Sequence, residues 1–277
     1  MAGSKQIHLG FIVFTFFLLC LDPTPIRAEG SGAGHKIEFE YKAGTKKGPE
    51  HWGDLKKEWK TCKTGKTQSP IDLRDGIATK VNSSLEHFKI SYKPTKAIMK
   101  NEGPAIVVVW EGDAGSISIN GKEYNLRQCH WHSPSEHSIN GKRYDVELHM
   151  VHRAKNNSDV AVVGFLYKIG QPNPFISKVR KAIASMVDVQ KDVHLGVIDP
   201  RKMKKAKIGY SGSFTTPPCS EGVTWTINKQ VHTVSISQVK LLQQAVFNYA
   251  EMNARPVQPL NGREVKLHGS SFVNLKN

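Results

Sequence analysis

The stretch from Gln128 to His152 constrains this chain more than any other. It opens with His130-x-His132, closes with Glu147-x-His149, and carries Asn140-Gly141 between them. Alternate side chains of a β-strand share a face, so His130 and His132 can converge on one point. Asn-Gly between two patterned runs is a strong hairpin signal, because both turn residues must adopt positive φ. With Asn140 and Gly141 as the two loop residues, His132 is expected to face His149. Pro134 interrupts the first arm and lets the register slip. An even slip leaves all three histidines on one face.

Three imidazoles on one face, with nothing in the stretch to fill a fourth position, describe a catalytic zinc site. Structural zinc sites close all four positions, usually with cysteine. Gln128 and Glu147 each precede a proposed ligand by two residues and share its face. They are placed to accept the second ring N–H of a ligand histidine and so fix its tautomer. An isolated His-x-His carries little meaning, but here a third histidine and two polar orienters accompany it.

Residues 1–28 read as a secretory signal peptide. Lys5 is basic, Leu9 to Leu21 is apolar apart from Gly10 and Thr15, and Ile26-Arg27-Ala28 ends on a small residue. The apolar core of about 13 residues is too short to span a bilayer comfortably, which leaves an uncleaved anchor as the minor alternative. No later segment approaches about 18 consecutive apolar residues, so no transmembrane anchor is expected in the mature chain. Residues 29–277 carry no repeat or low-complexity linker, which favours one domain. The expected route is the secretory pathway, ending outside the cell in the apoplast, with a plastid reached through the endoplasmic reticulum as the alternative.

Cys20 leaves with the signal, and Cys62, Cys129 and Cys219 remain. An odd set gives one disulfide and one free thiol, or an intermolecular bridge. Cys129 alternates with His130 and should point off the metal face into packing. Cys62 and Cys219 both lie in turn-like segments and are the expected pair. Asn82-Ser83-Ser84 and Asn156-Asn157-Ser158 are glycosylation sequons.

Lysine and arginine number 39 against 24 aspartate and glutamate; without Lys5, Arg27 and Asp22 the balance is 37 to 23, a net charge of +14. Lys56-Lys57-x-x-Lys60 and Arg201-Lys202-x-Lys204-Lys205-x-Lys207 concentrate it. Such a surface favours weak binding to acidic polymers or phospholipid head groups, although a merely solvated basic face is the blander reading. No aromatic-interleaved basic motif points to nucleic acid.

Most of the chain reads as strand: Ala105 to Trp110, Ser116 to Asn120, Lys122 to Arg127, Val160 to Lys168 and Val223 to Ile227. A second Asn-Gly, Asn120-Gly121, makes a hairpin that leads directly into the His130 strand. Helical periodicity covers Asn173 to Ser185 and Ser237 to Tyr249. The expected fold is mainly β (α+β): a single domain on a large, mostly antiparallel twisted sheet with a few peripheral helices.

Ser213-Phe214-Thr215-Thr216-Pro217-Pro218-Cys219, with Q-x-H-x-H, S-E-H and E-L-H-M-V-H, resembles the α-class carbonic anhydrases. So do Gly48-Pro49-Glu50-His51-Trp52-Gly53, Gln68-Ser69-Pro70-Ile71-Asp72 and Asn253-Ala254-Arg255-Pro256-x-Gln258-Pro259. The resemblance runs from about Phe39 to Leu267, with the motifs in family order, and is strongest to secreted plant members.

That resemblance implies a zinc enzyme that interconverts carbon dioxide and bicarbonate in a conical cavity. His130, His132 and His149 match the zinc ligands, Gln128 and Glu147 their orienters, and the Asn253 carbonyl the partner of the middle histidine. Thr215 matches the threonine that accepts from the attacking oxygen and donates to a buried carboxylate, here Glu136. Thr216 matches a residue at the substrate pocket. Val151, Val162, Phe214, Val223 and Trp225 match the apolar wall around carbon dioxide, and Cys62 and Cys219 the disulfide of extracellular members. One departure stands out. Fast members carry a proton-shuttling histidine after an Asn-x-Gly element, which here reads Asn101-Glu102-Gly103-Pro104. Proline carries no proton, and Glu102, with an ordinary carboxyl pKa near 4.3, is poorly matched to a donor of pKa about 7. Lys100 or His35 offers another route. Two further readings are a non-catalytic storage or binding relative, and a zinc hydrolase in which ester cleavage is a side reaction.

Overall fold

A computed structural model describes residues 38–80, 88–155, 158–187, 189–203, 208–228, 230–247 and 250–267. Residues 1–28, expected as a signal peptide, His35 and both sequon asparagines, Asn82 and Asn156, lie outside them.

Alternation along the two histidine strands, Lys122–His132 and Val146–Ala154, divides the molecule into two apolar layers. On the second of these strands Leu148, Met150 and Ala154 face one layer, while Val151 faces the other. Its partner cannot match this by alternation alone, since Tyr124, Leu126, Cys129 and Trp131 all join the first layer. A β-bulge resolves the parity. Val151 pairs with Gln128 and His152 with Leu126, so Arg127 is the extra residue. The bulge turns Gln128, His130 and His132 away from the face that Leu126 occupies.

Among the described residues the main sheet has 13 strands. Its centre runs antiparallel from Thr95–Asn101 through Ile106–Trp110 and the two histidine strands to Val160–Ile169. The sheet is therefore mostly antiparallel, as expected, with parallel joints where the chain returns. Val160–Ile169 pairs parallel with Glu221–Ile227 and with His232–Val234, and Val265–Leu267 pairs parallel with Ala78–Lys80. The Asn120-Gly121 hairpin forms as predicted, with Ile119 opposite Lys122.

Among the described residues the two helices longer than a single turn flank the sheet. Pro174–Ala184 starts where expected: Asn173 accepts from the N–H of Phe175 (2.9 Å) and Ile176 (3.1 Å), and Pro174 occupies the first turn. Ile236–Ala245 begins with a capping box between Ser235 and Gln238. It ends four residues before the expected Tyr249. Val246 turns extended, and the Phe247 N–H donates to the Gly103 carbonyl (3.0 Å) instead of to the helix. Asn101 takes up the last carbonyl, donating to Ala245 O at 2.8 Å.

Cys62 and Cys219 form a disulfide with Cα atoms 4.9 Å apart, and Cys129 is a buried free thiol. Among the described residues no helix is long and apolar enough to cross a membrane.

His152 faces the first layer, fully buried, with the Tyr92 hydroxyl 2.8 Å from Nε2. Burial lowers its pKa to about 3. The unfolded chain, with a histidine pKa near 6.5, then binds the extra proton between these values, so stability is complete above about pH 6.5 and drains as pH falls toward 3. Between pH 7 and pH 5 the zinc-free wild type is expected to lose about 2 kcal/mol more than His152→Gln in urea unfolding. Equal losses would refute this account.

Candidate metal centre

The Asn140-Gly141 turn forms as predicted, with φ of 51° and 77°. Ile139 pairs with Lys142 and Ser138 with Arg143. These short arms, however, belong to a separate three-stranded sheet with Asp72–Leu73. The histidine strands pair in a different register: His130 lies opposite His149, and Glu147 opposite His132. The predicted pairing of His132 with His149 is therefore corrected by two residues. The cause is unequal arms, since five residues separate His132 from Ser138 but only three separate Arg143 from Glu147. An even slip preserves the face.

The three rings meet edge to face or tilted, with centroids 4.6 to 5.2 Å apart. One ring nitrogen of each is already held. His130 Nδ1 lies 2.9 Å from Gln128 Oε1, His132 Nδ1 lies 2.6 Å from Asn253 O, and His149 Nε2 lies 2.9 Å from Glu147 Oε1. Each acceptor takes an N–H, which leaves His130 Nε2, His132 Nε2 and His149 Nδ1 as lone-pair donors. The three histidines offer ligand atoms within 4.8 Å of one another. His132 Nε2 is buried without a hydrogen-bond partner among the described residues. Burial, aided by the neighbouring imidazoles, holds His130 well below the ordinary histidine pKa and lowers that of His132. Three convergent imidazole lone pairs, each ring held from its far side, fit zinc.

Glu147 is fully buried. Burial alone would raise its pKa, but the imidazoles of His137 and His149 outweigh that and hold it well below the usual carboxylate range. Its Oε2 accepts the N–H groups of Glu136 (2.9 Å) and His137 (2.8 Å). Its Oε1 is shared by His149 and His137 Nδ1, the latter at 2.7 Å. His137 Nε2 lies 2.6 Å from the Tyr210 hydroxyl, which lies 2.9 Å from Ser69 Oγ. His137, Glu147 and His149 also cluster tightly enough to suggest a metal, but both ring nitrogens of His137 are engaged, so this is a hydrogen-bonded support. His137 and Tyr210 went unrecognised in the sequence. His137 sits in an irregular connection where periodicity says nothing, and Tyr210 is far along the chain. Gly164 lies opposite His149 and makes room for this network, since a Cβ there would come within 2.9 Å of Glu147 Oε1.

Glu136 is buried beside the three histidines, with Oε2 at 3.5 Å from His132 Nε2 and 3.9 Å from His149 Nδ1. Its Oε1 accepts the backbone N–H of Arg255 at 2.9 Å. Its Oε2 is buried with no hydrogen-bond partner among the described residues, so the expected bond from Thr215 is not made here. Thr215 is buried and Thr216 half-buried on the loop after the Ile208–Ser213 strand. Val151, Val162, Val223 and Trp225 join one apolar cluster on the histidine face, with Phe214 packed against it. The Trp225 ring lies 4.8 Å from the His149 ring and donates from Nε1 to Ser213 O at 2.9 Å.

The Asn101–Ala105 segment is a pinned turn. Glu102 N–H donates to Ala105 O (3.0 Å), Gly103 N–H to Asn101 Oδ1 (2.9 Å) and Asn253 Nδ2 to Pro104 O (2.8 Å). Glu102 is solvent-exposed as a residue, yet the crowding around its carboxyl raises its pKa, Lys100 opposing and Asp192 adding. Lys100 pairs with Asp192 at 3.2 Å.

A model of the eukaryotic-type carbonic anhydrase family matches residues 47–269. Carbonic anhydrase Nec1 of Nesocodon mauritianus is 49% identical over 272 residues, covering 95% of this chain and 97% of that protein. Alpha carbonic anhydrase 7 of Arabidopsis thaliana is 49% identical over 275 residues, covering 97% and 98%. A crystal structure of dioscorin complexed with ascorbate superposes with a TM-score of 0.80 at 43% identity, covering 83% of this chain and 98% of that one.

Proposed function

Because the chain belongs to the eukaryotic-type carbonic anhydrase family, we propose that it catalyses the reversible hydration of carbon dioxide to bicarbonate and a proton, with zinc held by His130, His132 and His149. The observation that carries this reading is the set of three free nitrogens, each fixed by a hydrogen bond on the opposite side of its ring. When bound, zinc supplies a Lewis acid that brings the pKa of water from 15.7 to about 7.

The chain's own groups do the rest. Gln128, Glu147 and the Asn253 carbonyl set the ring orientations and tautomers. Glu136, as a carboxylate, only accepts. Arg255 N–H occupies one oxygen, which leaves Oε2 for a hydroxyl proton. We assign that proton to Thr215. With it committed to Glu136, the hydroxyl oxygen accepts from the attacking water and turns a lone pair toward the substrate carbon. The wall of Val151, Val162, Phe214, Val223 and Trp225 suits a small apolar substrate and keeps bulk water off it, with Thr216 at the rim.

The released proton has to leave, and Pro104 offers no titratable group for it. Turnover limited by proton export is the consequence. The raised pKa of Glu102 narrows the mismatch with a donor of pKa about 7 but leaves it a carboxyl. Turnover at saturating carbon dioxide is expected to climb with imidazole concentration before it levels; a flat response from the lowest buffer upward would sink the idea. Ester cleavage would be a side reaction of the same site.

The similarity to dioscorin, a relative not named as an anhydrase, motivates a second reading: a non-catalytic storage or binding protein of the same fold. Zinc-loaded protein with no hydration activity at any buffer level would select it. We further infer secretion to the apoplast (with a plastid reached through the endoplasmic reticulum as the alternative) after loss of residues 1–28, with glycans at Asn82 and Asn156 and weak affinity for acidic polymers through the basic surface.

A further inference from the structure

The geometry points to the side chain of Asn253 as a positioning residue for the ligand His132. This rests on the zinc reading above and deepens it. The Ile106–Trp110 strand pairs with the first histidine strand only as far as Val107 opposite His130. Among the described residues that edge has no strand neighbour beyond His130, so the carbonyl of Trp131 and the N–H of Ser133 need other partners. The Asn253 amide supplies both: Nδ2 donates to Trp131 O at 3.2 Å, and Oδ1 accepts from Ser133 N at 2.8 Å. The second Nδ2 hydrogen goes to Pro104 O at 2.8 Å.

The amide therefore grips the backbone on both sides of His132, while the main-chain carbonyl of the same residue holds the imidazole at Nδ1, 2.6 Å away. Ring and strand are fixed to one rigid point. Asn253 is 3% exposed, so water cannot replace these contacts cheaply. The chemistry is specific to an amide. It uses two donors and one acceptor in a plane, which aspartate, its isostere, cannot supply. In Asn253→Asp an oxygen would confront the carbonyls of Trp131 and Pro104, and the clip would open where His132 Nε2 has to be aimed.

The test is zinc release, read by a chromogenic chelator mixed with the zinc-loaded wild type, Asn253→Asp and Asn253→Ala. A fourth protein, Ile117→Ala, lowers stability in the Gly115–Ile119 strand, which pairs with the Lys122–Asn125 end of the first histidine strand. Zinc release from either Asn253 variant is expected to be about 10- to 100-fold faster than from wild type, while Ile117→Ala releases it at the wild-type rate. Asn253→Ala removes the anchors without adding a charge, and serves alone should the aspartate variant fail to fold. Wild-type release rates in the Asn253 variants, or equal acceleration in Ile117→Ala, would overturn the inference. A wild type that retains no zinc would overturn the reading of the site as well.

Discussion

His132→Ala is expected to abolish both zinc retention and carbon dioxide hydration, leaving the rate of buffer alone. Without the ion the pKa of water returns from about 7 to 15.7, and at neutral pH the supply of nucleophile falls by roughly eight orders of magnitude. His132 is the most exacting of the three proposed ligands to remove. Among the described residues its Nε2 is buried with no hydrogen-bond partner, and its Nδ1 is the one held at 2.6 Å. Truncation would also leave the Asn253 carbonyl and Glu136 Oε2 facing a hole. A change one layer out, Gln128→Ala, should be far milder, costing roughly 10- to 100-fold in metal affinity or turnover, because it frees the His130 ring without removing its nitrogen. Zinc content by atomic absorption together with stopped-flow hydration separates the two. Near-wild-type hydration by His132→Ala would refute the assignment of the site.

How much of this was legible beforehand follows the range of the interactions. Gln-x-His-x-His on a strand and Glu-x-His on its partner are local patterns, and the five residues they name share one face although the register was off by two. Face depends only on parity, whereas register depends on how the Ser133–His137 connection spends its length. The Asn140-Gly141 turn illustrates the difference: its chemistry made the expected hairpin, but in a small neighbouring sheet. The bulge at Arg127 left no local mark either, since its effect is to reconcile Leu126 with Cys129 and Trp131 on one apolar layer. Hidden altogether were partners supplied by distant segments, such as Tyr210 to His137 and the Asn253 amide to Ser133. The helix boundary at Ala245 failed for the same reason: Asn101 and Gly103 compete for its last groups from across the fold.

Removing the disulfide is the change expected to cost most in stability. Cys62 and Cys219 are 157 residues apart in sequence, and closing so long a loop restricts the unfolded chain by about 5 kcal/mol on the entropy estimate. For a domain of this size each kcal/mol is worth roughly 2–4 °C, so Cys62→Ser should melt about 10–20 °C lower. The structure adds a second consequence. Cys219 closes the loop that carries Thr215 and Thr216: its N–H donates to Thr216 O at 2.9 Å, and Gln68 Nε2 donates to its carbonyl at 3.1 Å. Cys62 O in turn accepts from buried Arg255 Nη2 at 2.9 Å, and the backbone N–H of Arg255 holds Glu136. The bridge thus ties the loop of Thr215 to Arg255, whose N–H holds Glu136, whereas the proposed zinc ligands stand on strands it does not touch and Asn253, behind His132, has its own anchors at Trp131, Ser133 and Pro104. Cys62→Ser, assayed well below its melting point, should therefore keep zinc and lose turnover. Calorimetry with metal analysis and stopped flow reads all three quantities on one sample. A variant that melts within a few degrees of wild type would show the unfolded chain to be compact already, and one that loses zinc along with turnover would mean that the loop and the ligands are not independent.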